Sequence, residues 1–127
     1  MIRQEFHVEE YWKVVVWYSL DYHFFDRVLK EMREMGINGR IVKDVYEIMR
    51  SGKAKAVTIS NVYKHESIVL FNKHRWFEDY LNSLVHEAEH IKQSMLYAYR
   101  IEDEGEAPAY TIGYLVMRMW KGFKQLF

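Results

Sequence analysis

Leu84-Val85-His86-Glu87-Ala88-Glu89-His90 decides how the rest of the chain is read. On a helix, residues four apart share a face, so His86 and His90 can present two imidazoles to one point. Zn²⁺ takes imidazole nitrogen readily and keeps a position for water in catalytic sites. Glu87 stands between the two, where it can take a proton from that water. The H-E-x-x-H pattern has this meaning only on a helix; elsewhere His86 and His90 are ordinary polar residues. The flanks supply the helix. From Arg75 to Tyr99, the residues Phe77, Leu81, Leu84, Ala88, Ile91 and Met95 trace one apolar stripe. Asn82 and Tyr97 fall near the motif as wall residues.

Working upstream, Ser67 to Phe71 and Lys53 to Ser60 read as two strands, the second with Val57 and Ile59 on one face. The link Asn61-Val62-Tyr63-Lys64 makes them a hairpin, although it has no Gly. Lys53, Lys55 and Lys64 beside Tyr63 read as a strand edge defended by lysine rather than as a nucleic-acid patch. Two helices precede them, Asp21 to Met35 and Arg40 to Arg50. The first has Phe25, Val28, Leu29, Met32 and Met35 as its stripe; the second has Ile41, Val45, Ile48 and Met49. The methionines are core fillers. Tyr11 to Leu20 is a first strand, bulky at consecutive positions, which implies cover on both sheet faces. Trp12 and Trp17 belong to that core.

Downstream comes the acidic run Glu102-Asp103-Glu104-Gly105-Glu106, a favourable charge before a helix N-terminus. Pro108 fits the first turn of that helix. It runs to about Phe123 with Ile112, Leu115, Val116, Met119 and Phe123 as its packing face. Gly113 inside it costs about 1 kcal/mol relative to Ala, a cost that a close helix–helix or metal-site approach at that point would justify.

Composition narrows the function. The 127 residues suit a single domain, 1–127. Lys plus Arg and Asp plus Glu balance at 18 each. No global field attracts nucleic acid or an anionic membrane. There is no Cys, so a zinc site rests on His and carboxylate alone. No run reaches the roughly 18 apolar residues of a spanning helix. The start, Met1-Ile2-Arg3-Gln4-Glu5-Phe6-His7, has no apolar signal core, so a cytoplasmic setting is expected.

The motif and the residues after it resemble the gluzincins, the H-E-x-x-H metallopeptidases whose third ligand is a Glu on a following helix. More narrowly, they resemble the very small zincin-like proteins of bacterial genomes and their prophages. The resemblance covers mainly Ser67 to Tyr114: the strand Ser67-Ile68-Val69-Leu70-Phe71, the motif, and Glu106-Ala107-Pro108-Ala109-Tyr110-Thr111-Ile112-Gly113-Tyr114-Leu115. It implies His86, His90 and Glu106 as ligands of Zn²⁺, with Glu87 as general base. Glu106 stands 16 residues after His90, and Glu102 and Glu104 are its rivals. Tyr110 or Tyr114 would donate to a developing oxyanion.

The expected fold is therefore a single α+β domain of minimal zincin-like metalloprotease type. A small, mainly antiparallel sheet packs on helices, and two long C-terminal helices bracket the metal. The expected function is zinc-dependent hydrolysis of a peptide or related amide bond, with a peptide or protein substrate and no membrane. The alternative is a non-enzymatic interaction protein with a structural or vestigial zinc site. A metal-free, nucleic-acid-binding protein of phage or mobile-element type is a third reading that neutral charge disfavours.

Overall fold

A computed structural model describes all 127 residues. Four strands and four helices follow one another as β1 (Ile2–Val8), β2 (Trp12–Tyr18), α1 (Phe25–Glu34), α2 (Gly39–Arg50), β3 (Ala56–Asn61), β4 (Glu66–Phe71), α3 (Phe77–Tyr99) and α4 (Glu106–Phe123). The α+β class, the mainly antiparallel sheet and the long motif-bearing helix are as the sequence predicts. Sheet order is β1-β2-β4-β3. The β1–β2 and β3–β4 ladders are antiparallel, and the central β2–β4 ladder is parallel.

That central ladder determines the layers. A parallel pair needs a crossover, and α1 and α2 supply it on one face. Strand residues then divide by parity. Val15, Trp17, Ile68 and Leu70 pack with Val28, Met32, Val42 and Met49 under α1 and α2. Trp12, Val14, Val16, Val69 and Phe71 pack with Leu84, Ala88, Ile91, Leu115 and Met119 under α3 and α4. The bulky run in β2 is thus buried on both sides, as its composition requires.

β1 is the element that the sequence reading lacks. Ile2, Phe6 and Val8 turn inward while Arg3, Glu5 and His7 stay outside. The remaining inward position is Gln4. Its amide donates to the Arg118 carbonyl at 2.6 Å and its oxygen accepts from Tyr18 Oη at 2.8 Å. The β3–β4 hairpin closes without Gly because Asn61 Oδ1 accepts from the amides of Tyr63 and Lys64, and His65 takes φ 55°.

The close approach expected at Gly113 occurs at Gly122 instead. A Cβ on Gly122 would stand 2.6 Å from Gln4 Oε1 and 2.8 Å from Tyr18 Cε2, while one on Gly113 would meet nothing within 4 Å. α4 therefore seats its C-terminal half directly on β1 and β2. No helix is long and apolar enough to cross a membrane.

Candidate metal centre

The motif lies near the middle of α3, with more than two turns of helix on each side of it. The core face of α3, with Leu84, Ala88 and Ile91 fully buried, fixes the helix rotation against the sheet. His86 and His90 consequently leave the helix on the flank above β3, and both are exposed to solvent. Their Nε2 atoms are 3.1 Å apart. Two imidazoles on a tetrahedral zinc at about 2.0–2.1 Å would place their nitrogens roughly 3.3 Å apart. The separation is thus close to what a shared ion needs, and nitrogen donors suit zinc.

Glu87 points into the seam between α3 and β3 and is 5% exposed. Thr58 Oγ1 donates to its Oε1 at 3.0 Å, and its Oε2 lies 3.9 Å from His86 Nε2. The ligand atoms of His86, Glu87 and His90 all lie within 4.8 Å of one another. A buried carboxylate held by one hydroxyl beside two accessible imidazoles can accept a proton or join them in holding a cation.

The three residues open onto a cleft of about 430 Å³ whose far wall is β3, with Ala56, Thr58 and Ser60 facing the helix. β3 is an edge strand, so one side of its backbone has no partner in the sheet. Tyr97, two turns beyond His90, lines the same cleft. A polar chain runs behind Ser60. Its hydroxyl and that of Ser67 are 2.7 Å apart, and Trp12 Nε1 donates to Ser67 Oγ at 2.9 Å.

The other candidates are elsewhere. The acidic link after α3 is tied down by Asp103, whose carboxylate accepts from Lys92 Nζ at 3.0 Å. At about 100° per residue, Lys92 leaves α3 on the flank away from the imidazoles. Glu106 opens α4 on that flank, and neither it nor Glu102 nor Glu104 joins the converging donors. The site is bracketed by α3 and β3, not by α3 and α4. Tyr110 is exposed on the outside of α4. Tyr114 Oη donates to the His7 carbonyl at 3.2 Å and accepts from Arg118 at 3.0 Å. Asn82 does not line the cleft, and Tyr97 does.

Thr58 is the site residue that the sequence reading missed. Its signal was present. With Val57 and Ile59 on one face, alternation puts Thr58 and Ser60 on the other, and polar residues facing a helix need a reason. No family model, curated relative or solved structure matches the chain.

Proposed function

We propose that the protein is a small zinc-dependent hydrolase of peptide or related amide bonds, of zincin-like type. One observation carries this reading: two imidazole nitrogens 3.1 Å apart, with a buried carboxylate beside them, in a cleft walled by an edge strand. The resemblance to gluzincins supports it at His86, Glu87 and His90, though not at Glu106.

His86 and His90 would hold the zinc, which when bound supplies Lewis-acid polarisation and acidifies water. Glu87 takes the proton of the attacking water as its oxygen bonds to the carbonyl carbon. The same carboxylate then delivers the proton to the amine as the C–N bond breaks. Thr58 orients Glu87 through the 3.0 Å hydrogen bond. The free edge of β3 suits an extended peptide, which can pair with it as an added strand. Tyr97, rather than Tyr110 or Tyr114, is the phenol that lines the cleft and can donate to the oxyanion.

The second reading, a non-enzymatic interaction protein with a vestigial zinc site, draws on the missing third ligand from α4. Zinc content and turnover of a diverse peptide library distinguish the two. On the hydrolase reading, wild type binds one zinc and cleaves. Glu87→Gln keeps the zinc and loses cleavage, because Gln cannot accept the proton. A wild type that holds zinc but cleaves no member of the library favours the interaction protein. A Glu87→Gln protein as fast as wild type would remove Glu87 from the mechanism.

A further inference from the structure

β2 and β4 run side by side in parallel, and the chain leaves their carboxyl ends in opposite directions. After β2 it turns into α1 on one face of the sheet; after β4 it turns into α3 on the other. Neighbouring parallel strands whose connections part in this way open a crevice outside their carboxyl ends, where open α/β sheets bind ligands. A cavity of about 480 Å³ stands at that place. Its walls include Asp21, Tyr22 and His23 after β2, Asn72 and Lys73 after β4, and Arg50 at the end of α2. It shares no residue with the cleft beside His86 and His90.

Hydrogen bonds fix the wall. Asn72 Nδ2 donates to the carbonyls of Met49 at 2.9 Å and Ala54 at 3.0 Å, and its Oδ1 accepts from Tyr22 Oη. One side chain thus ties the end of β4 to the end of α2 and to the segment after β2. The Arg50 guanidinium lies 5.0 Å over the Tyr22 ring, a contact that orients the cation. Neither Arg50 nor Lys73 makes an ion pair. The Lys73 backbone amide has no backbone partner either. The wall carries one carboxylate, Asp21, whose Oδ1 accepts from the His23 amide at 3.0 Å. Two unpaired cations therefore stand against one partly engaged anion.

We propose that this crevice binds a small molecule through an anionic group, phosphate or carboxylate. The Arg50 fork matches two oxygens of such a group. Lys73 supplies a second positive charge, and its amide a further donor. Small-molecule sites occupy roughly 300–1,000 Å³, so the cavity has room for the rest of the ligand beyond its anionic group. The site is independent of zinc and of hydrolysis, because no residue is common to the two cavities.

Amide NMR spectra of the full chain, titrated separately with sodium phosphate and sodium succinate at constant ionic strength, test this. Saturable shifts should be confined to the segments around Tyr22, Arg50 and Lys73, with a dissociation constant of roughly 1 mM or tighter. The tighter of the two probes identifies the group. Arg50→Gln and Lys73→Gln change exposed side chains and should each weaken binding about tenfold, with an unchanged circular dichroism spectrum. Asp21→Asn keeps a capping oxygen and removes the opposing charge, so it should tighten binding about threefold. Absence of saturable shifts with both probes overturns the proposal, as does an Arg50→Gln protein that binds as tightly as wild type. Shifts as large at Lys121 and Lys124 as at Lys73 would overturn it in favour of unspecific attraction to surface cations.

Discussion

Thr58 on β3 donates its hydroxyl to the Glu87 carboxylate on α3 at 3.0 Å. This bond spans the seam between sheet and motif helix and is the sole direct hydrogen-bond donor to that carboxylate. The first expectation comes from it. Thr58→Val keeps the shape and removes the donor, leaving a buried carboxylate short of a partner. Stability should fall by about 1–2 kcal/mol, with zinc stoichiometry retained and peptide turnover reduced. Thr58→Ser should restore both. Denaturant midpoints and turnover on the three proteins decide it, and an unaffected Thr58→Val protein would make the contact incidental.

The second concerns ligands. Asp103 anchors the α3–α4 link to Lys92 on the flank away from the imidazoles. Glu106→Gln should therefore change zinc affinity by less than about twofold, while His90→Ala should abolish measurable binding by removing one of two nitrogen donors. Competition titration against a zinc chelator provides the comparison. Equal losses would mean that α4 brings Glu106 over the site when metal binds.

Alkaline pH should expose the third. Burial pushes the Tyr80 phenol up to about 12 and raises Tyr18 as well. Both folded-state values lie above the ordinary phenol value of about 10. The folded chain therefore holds protons that the unfolded chain has released. This contribution is fully present below about pH 10 and is lost as pH rises through the folded values. Each phenol should lower stability by about 1.4 kcal/mol per pH unit across that window. Urea midpoints should be flat up to about pH 9 and fall above about pH 10, less steeply in Tyr80→Phe. A slope identical in Tyr80→Phe would assign the loss to other groups.

Gly122 gives the fourth. Ala is the better helix former by about 1 kcal/mol, yet a Cβ there meets Gln4 Oε1 at 2.6 Å and Tyr18 Cε2 at 2.8 Å. Gly122→Ala should destabilise by about 1–3 kcal/mol through overpacking. Thermal denaturation at neutral pH measures it, and a higher melting temperature would show that α4 can lift from β1 at little cost.

Legibility from sequence tracked the range of the interactions. α3 was plain because a 23-residue helix repeats its apolar stripe many times, and the pairing of His86 with His90 is a local consequence of helical spacing. β1 was hidden because its inward set contains Gln4, a polar residue whose reason is a partner on α4, 114 residues away. The parallel β2–β4 pairing was equally invisible, since no local pattern reports which strands become neighbours. Glu106 was the hardest. Its spacing from His90 permits a return along either flank of α3, and one ion pair between Lys92 and Asp103 marks the flank taken. Local periodicity also said nothing about where a glycine is needed. Gly113 and Gly122 look alike in sequence and differ only in what lies beside them.

The parallel pairing of β2 with β4 also dictates a schedule for synthesis. β4 contributes Ile68 and Leu70 to one core and Val69 and Phe71 to the other, so both cores lack a central wall until it has left the ribosome. A nascent chain ending at Asn61 holds a β1–β2 hairpin with one open edge, two helices with no completed floor, and β3 without its only neighbour. Cooperative folding must wait for Phe71, the last residue of the strand that both cores share. Until then the edge of β2, rich in Val and Trp, lacks the strand that covers it.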